Sequence, residues 1–166
     1  MAREMDVADT TQLGLTDFVD LATLQSLQDG FARLTGIATS IRDPQGGAIT
    51  EPGAHPAFCS LMQSSNSGEA ACAAAHAEAG RLAGATMEPC RYECHAALNQ
   101  FVAPILLEGR HLGTIILGGH PAGSLQHDRL DALGQKHGLA VDDLQAAAGV
   151  LEPWSEEAIS SATQFA

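Results

Sequence analysis

The sequence is poor in aromatic and in basic residues. Only 4% of its 166 residues are Phe, Trp or Tyr, so a buried core must be built mainly from Leu, Ile, Val and Ala. Eight Lys and Arg residues stand against 20 Asp and Glu, which gives a formal net charge of −12. Such a charge repels phosphate backbones and anionic headgroups, and it argues against direct binding to nucleic acid or to a membrane surface.

Long hydrophobic segments and known enzyme motifs are also missing. The longest apolar stretches, Val102–Leu107 and Thr114–Leu117, are far shorter than the ~20 residues of a membrane-spanning helix. Residues 1–16 contain no apolar segment of the signal-peptide type, so we expect a cytoplasmic protein with reduced thiols. The motifs GxSxG, GxGxxG and HExxH and the P-loop do not occur, which predicts a protein that is not an enzyme.

The apolar pattern predicts an α/β domain of the α+β type, an antiparallel sheet flanked by helices. Apolar residues recur at steps of three and four from Leu21 to Leu34, which indicates a helix that ends at Gly36. Two apolar runs, Phe101–Leu107 and His111–Gly118, flank a short turn and predict a hairpin covered on both faces. The other predicted elements are a weaker hairpin over 37–50, helices near Phe58–Met62, Gly68–Leu82, Leu125–His137 and Val141–Leu151, and an irregular cysteine-rich loop, Pro89–Asn99.

The chain is predicted to have three parts. Residues 1–16 form a flexible leader that ends at a helix cap, Thr16, and residues 17–152 form one domain. Residues 153–166 begin a helix that leads to a downstream output module. Its apolar stripe predicts a homodimer, because exposed apolar patches usually mark a partner surface, although the helix could instead fold back on its own sheet. The stripe consists of Trp154, Ile159, Ala162 and Phe165.

The four cysteines are the main candidates for chemistry. Cys59, Cys72, Cys90 and Cys94 are separated by 12, 17 and 3 residues, and four thiolates suffice for a tetrahedral zinc or iron site or for an iron–sulfur cluster. The alternative is that the cysteines are buried small apolar residues.

Two histidines could replace one of these thiolates. His76 follows Cys72 by one helical turn, so both side chains share a helix face, and His95 directly follows Cys94. Either imidazole is a suitable ligand for zinc.

Polar and aromatic residues beside the predicted hairpin indicate a ligand pocket. Tyr92 and His95 lie in the cysteine-rich loop, Phe101 begins the hairpin, and His120 ends it, so we assign these four residues to ligand binding. The alternative is that they only pack and form hydrogen bonds. A third, weaker possibility is an enzyme in which Cys94 acts as the nucleophile with His111 or His120.

Several short motifs resemble a known family when they are taken in order. Five short motifs are similar to those of PocR-type sensory domains: Phe58-Cys59, Gly68-x3-Cys72, Cys94-His95-Ala96, Leu112-Gly113 and Gly118-Gly119. The resemblance covers about residues 21–119. It implies a PAS-like sensor that binds small hydrocarbon derivatives such as diols. It also implies an output through a transcription factor, a histidine kinase or a diguanylate cyclase.

The resemblance also bears on individual residues. Family cysteines match Cys59, Cys72 and Cys94, whereas Cys90 is additional. The sequence departs from the family pattern at Ala97, where glycine is expected, and at His120, where glutamine is expected. A fourth thiol and an extra imidazole favour a metal or redox signal, so both the organic ligand and the thiolate-bound metal stay open as hypotheses.

Overall fold

A computed structural model describes residues 13–155 and residue 157. Most of the predicted leader, and three residues of the predicted terminal stripe (Ile159, Ala162 and Phe165), lie outside the described residues. The homodimer therefore stays a prediction. The elements are helices α1 (Leu21–Thr35), α2 (Ala57–Gln63), α3 (Asn66–Thr86), α4 (His127–His137) and α5 (Val141–Gly149), and strands β1 (Thr39–Arg42), β2 (Cys90–Glu93), β3 (Leu98–Leu107) and β4 (Arg110–Pro121).

A four-stranded antiparallel sheet forms the centre of the domain, in the order β1-β4-β3-β2. The long hairpin of β3 and β4 confirms the predicted pairing of the two apolar runs, and Phe101 lies opposite Leu117 in its register. The sheet and the helices around it confirm the predicted α+β class. None of the helices within the described residues is long and apolar enough to cross a membrane.

Both faces of the sheet are covered, as the two-sided apolar pattern of the hairpin predicts. On one face Leu24 of α1 packs with Ile41 and Leu112. On the other face Ala79 of α3 packs with Val102 and Ile116. A third cluster joins α2, α4 and α5 to the start of β3, and it contains Phe58, Met62, Ala96, Leu98, Leu130, Leu133 and Leu144.

The helix starts differ from the predicted caps. Asp20, not Thr16, caps α1 and accepts a hydrogen bond from the Thr23 N–H at 2.9 Å. The third helix begins two residues earlier than its predicted start, because Ser65, not Ser67, accepts a hydrogen bond from the Gly68 N–H at 3.1 Å. A capping side chain bonds to the N–H two or three residues ahead, and more than one polar residue can satisfy that rule.

The predicted cysteine-rich loop is half strand. Cys90–Glu93 pair with β3 as β2, and only the next residues form a turn, closed by the Ala97 N–H donating to the Cys94 carbonyl at 3.0 Å. β2 is an edge strand whose residues alternate between half-buried and exposed, and four residues are too few for that alternation to stand out in the sequence. The weaker hairpin predicted over 37–50 forms only in part. Its first strand is β1, and the returning segment pairs with β1 through a single bridge between Arg42 and Ala48.

Candidate functional site

A small cavity lies between the sheet and the helices α2 and α3. Its volume is about 40 Å³, which is room for roughly three water molecules. Phe58 and Met62 of α2, Ala75 of α3 and Ile116 of β4 supply apolar parts of the wall. The cavity is therefore a mainly apolar compartment next to the domain core.

Three of the four cysteines line this cavity, each from a different element. Cys59 lies on α2, Cys72 on α3 and Cys94 in the turn that follows β2. Burial, with a smaller effect from the other two thiols, raises the pKa of Cys59 to about 12. Burial also raises the pKa of Cys72 and that of Cys94. The three thiols are thus protonated at neutral pH.

Three histidines share the same wall, namely His55, His76 and His95. Burial, assisted by the nearby Arg42 cation, lowers the pKa of His76 to about 4. Burial likewise lowers the pKa of His55 and that of His95. Since neutral imidazoles and protonated thiols carry no charge, these six side chains leave the wall uncharged at neutral pH.

One polar contact and one unpartnered oxygen define the hydrogen-bonding character of the wall. The Nε2 atom of His95 lies 3.3 Å from the Cys72 Sγ. Because the Cys72 thiol keeps its proton, it can donate to Nε2 and so fix the tautomer of the ring. Gln100 of β3 also lines the cavity, and its Oε1 atom is buried without a hydrogen-bond partner among the described residues.

The remaining predicted site residues lie elsewhere in the domain. Cys90 and Tyr92 pack against the cluster around Val102 on the α3 face of the sheet. Phe101 belongs to a cluster with Leu117 and Trp154 on the opposite face, and His120 stacks on Trp154. Of the four residues assigned to ligand binding, the structure places His95 in the cavity wall and the other three outside it.

The shared cavity does not amount to a formed metal site. Within residues 13–155, no group of three or more His, Cys, Asp and Glu side chains is arranged to hold a metal ion. All four cysteines are free thiols. A metal bound by Cys59, Cys72 and Cys94 would therefore require the thiols to lose their protons and the side chains to move closer together.

The sequence analysis did not predict several of the residues that line the cavity. Ser40 belongs to β1 and His55 to the loop before α2, and neither residue is part of a recognisable motif. Gln100 lies between the predicted cysteine-rich loop and the predicted apolar run that starts at Phe101, so no sequence pattern marked it. The structure includes it in β3, where it is 9% exposed.

Gly118 joins the cavity to the segment that follows α5. It lines the cavity, and it adopts a φ of 111° that favours glycine. A Cβ atom at Gly118 would lie 3.1 Å from the Trp154 ring, and one at Gly119 would lie 3.5 Å from the Cys59 Sγ. These two adjacent glycines thus contact a cavity thiol and the indole of the C-terminal segment.

Comparison with known proteins places the chain in a family. The chain is 28% identical over 95 residues to the Regulatory protein PocR of Salmonella typhimurium (strain LT2), a match that covers 57% of this chain and 31% of that protein. The chain thus matches less than a third of its relative's length. No solved structure matches the chain. The family model described as the sensory domain found in PocR matches residues 17–166, and the chain therefore belongs to the PocR sensory-domain family.

Proposed function

We propose that this sensory domain binds a small, neutral organic molecule in the cavity between α2, α3 and the sheet. The observation that carries the proposal is the unpartnered Gln100 oxygen in an uncharged wall that combines apolar side chains with a few polar ones, among them His95, whose Nδ1 atom is also unpartnered within the described residues. Binding sites for small molecules commonly combine apolar walls with a few polar groups that fix the orientation of the ligand. The hydrocarbon derivatives and diols that the resemblance implies have this mixed character.

The size of the cavity limits both the ligand and its affinity. A volume of about 40 Å³ suits a molecule of a few heavy atoms that displaces the water and expands the cavity. The best small ligands gain about 1.5 kcal/mol per heavy atom, so a five-atom diol has a limit of about 7 kcal/mol, or a Kd of about 10 µM or weaker. Titrations should therefore extend into the millimolar range.

The proposed output runs through the C-terminal segment. Expansion of the cavity would displace Gly118, which contacts Trp154 on its other side. A shift of Trp154 would then alter the path of the chain toward a downstream module, such as a diguanylate cyclase, a histidine kinase or a transcription factor. A discrete change of packing is the kind of event that couples two sites.

Tryptophan fluorescence tests this proposal directly, because Trp154 is the only tryptophan. We expect 1,2-propanediol to change the emission saturably and to raise the melting temperature, since a ligand that binds only the folded state stabilises it. Ala75→Leu fills the cavity and should abolish the response. Ala74→Leu, one residue away but exposed, is the matched control and should respond like the wild type.

Absence of any saturable response in the wild type up to about 100 mM, far above the expected affinity range, would overturn the proposal. An Ala75→Leu variant that responds as strongly as Ala74→Leu would place the ligand elsewhere.

A thiolate-bound metal or iron–sulfur cluster is the second candidate, favoured by the convergence of Cys59, Cys72 and Cys94 on one cavity. Stoichiometric zinc or iron in anaerobically purified protein, measured by mass spectrometry, would support it. Cys94→Ser should then lower the metal content, whereas Cys90→Ser should not, because Cys90 lies in a different cluster. Visible absorption bands would distinguish an iron–sulfur cluster from zinc.

We propose that the domain has no catalytic activity of its own and works in the reducing cytoplasm. The nucleophile of a cysteine enzyme is the thiolate, and burial raises the pKa of Cys94. Iodoacetamide should therefore alkylate Cys94 slowly at pH 7.5 in the folded protein and rapidly after unfolding. Fast labelling in the folded state would instead support the nucleophile hypothesis.

A further inference from the structure

We infer that Gln100 selects the ligand, by accepting a hydrogen bond from an O–H or N–H group of the bound molecule. This inference rests on the proposed function, because it assigns a polar contact to the same cavity. It adds a specificity rule: a neutral molecule that donates a hydrogen bond to Gln100, such as an alcohol, binds better than a ketone of the same size, which can only accept one, for example from the unpartnered Nδ1 of His95.

The position of Gln100 makes it part of the fixed framework of the sheet. It lies on β3 between Tyr92 of β2 and Gly118 of β4, at an irregularity in the register next to Asn99. The residue has only 9% of its surface exposed, and it lines the cavity. A residue on a central strand presents its polar group at a well-defined place, which is what selection between similar ligands requires.

The Oε1 atom of Gln100 is buried without a partner among the described residues. A buried carbonyl oxygen that accepts no hydrogen bond destabilises the folded protein, and most buried polar atoms are satisfied. Packing alone would be served better at this position by an apolar side chain. An O–H or N–H donor on the ligand would supply the missing bond.

The charges around the cavity favour a neutral donor over an ion. The lining thiols are protonated and the lining imidazoles are neutral, so the wall offers no counter-charge for an ammonium or a carboxylate. Lys136 and Arg129, which help to lower the pKa of His95, do not line the cavity, and neither does Arg42, which perturbs the pKa values of Cys72 and His76. The Arg42 guanidinium donates to the Ser40 Oγ at 3.3 Å and to the Gly46 carbonyl at 3.0 Å.

Four compounds with four heavy atoms each separate these possibilities. 2-Propanol and acetamide are neutral donors, acetone has no donor, and acetate is an anion. We expect the two donors to bind the wild-type protein about tenfold more tightly than acetone, which corresponds to one hydrogen bond. Acetate should bind no better than acetone. Ligand-detected NMR measures all four affinities.

Gln100→Leu removes the acceptor and should reduce the preference of 2-propanol over acetone from about tenfold to about onefold. Asn99→Leu is the matched control, because it replaces the neighbouring buried amide, which does not line the cavity, and it should keep the preference. Gln100→Met is the second apolar variant if Gln100→Leu does not fold.

A second readout needs no ligand. Because Gln100→Leu removes an unsatisfied buried oxygen, the ligand-free variant should melt no lower than the wild type. A clearly lower melting temperature for both Gln100→Leu and Gln100→Met would show that the amide is satisfied within the protein, and it would overturn the inference.

The outcomes separate the two proposals. Failure of all four compounds to bind the wild type would overturn the proposed function and this inference together. Equal binding of 2-propanol and acetone, unchanged in Gln100→Leu, would keep the cavity as a ligand site and overturn only the role of Gln100. Tightest binding of acetate would also overturn the inference, since it would assign selection to the Arg42 charge.

Discussion

The indole of Trp154 stacks on the imidazole of His120, with ring centroids 4.5 Å apart and an angle of 15° between the planes. Phe101 lies parallel to the same indole at 5.7 Å. Trp154 is therefore packed on its own sheet. For this residue, the structure agrees with the alternative prediction that the C-terminal segment folds back on the domain. The contact holds the start of the C-terminal segment against the end of β4.

This stack makes the fluorescence of Trp154 a reporter of His120 protonation. Burial lowers the pKa of His120 below the ordinary value of 6.5, and an imidazolium in contact with an indole quenches its emission. We expect quenching on acidification with a midpoint clearly below 6.5 while the protein stays folded. His120→Gln should remove this transition, and His127→Gln, at an exposed histidine on α4, should not. A midpoint at or above 6.5 would contradict the buried stack.

The second prediction concerns Gly118, whose φ of 111° and 3.1 Å approach to Trp154 both oppose a side chain. Gly118→Ala should lower the free energy of unfolding by about 2–3 kcal/mol, from backbone strain and from the displaced indole. Gly109→Ala is the matched control for strain, because Gly109 has a φ of 76° and no atom within 4 Å of its Cβ position. Chemical denaturation gives both values.

A double-mutant cycle separates the two causes at Gly118. In a Trp154→Ala background, Gly118→Ala should cost about 1 kcal/mol less than in the wild type, because only the backbone strain and the 3.3 Å approach of the Cβ atom to the Asn99 carbonyl oxygen are left. A cost that is the same in both backgrounds would remove the proposed link from the cavity to the C-terminal segment.

Much of the fold could be predicted from the sequence, because its strongest signals are local. The period of α1, the stop at Gly36 and the apolar runs of the β3–β4 hairpin all depend on neighbouring residues. The strand β2 was missed for a physical reason. An edge strand buries only one side, and a four-residue segment such as Cys90–Glu93 is too short to show its alternation.

The site was predicted less completely, because it depends on contacts between distant segments. The family motifs pointed to Cys59, Cys72, Cys94 and His95, which do line one cavity. Spacing alone could not separate them from Cys90. Cys90 and Cys94 are near in sequence, but Cys90 begins a strand whereas Cys94 begins the turn after it, so their side chains enter different parts of the core.

The third prediction follows from the departure from the family pattern at Ala97. Its φ of 61° is left-handed, a conformation that costs an L-residue about 1 kcal/mol relative to glycine. Ala97→Gly should therefore raise the free energy of unfolding by about 0.5–1 kcal/mol. Ala96→Gly is the control, because Ala96 is buried without a positive φ, and it should lower stability. Destabilisation by Ala97→Gly would show that the methyl group matters more than the strain.

The last prediction is acid destabilisation through His76. Burial lowers the pKa of this imidazole from 6.5 to about 4 in the folded protein. Between these values the unfolded chain binds a proton that the folded protein does not, so the free energy of unfolding falls as the pH falls. The contribution of His76 is constant above about pH 6.5 and levels off below about pH 4.

The size of this effect can be measured by denaturation at several pH values. Between pH 7 and pH 4.5, His76 should account for a loss of about 2 kcal/mol, because each pKa unit corresponds to about 1.4 kcal/mol. His76→Leu should remove that part of the loss and leave the part due to other buried histidines, such as His55 and His95, whose pKa values are also lowered. An equal pH dependence of wild type and His76→Leu would mean that His76 is open to solvent, and the cavity wall would then carry charge at mildly acidic pH.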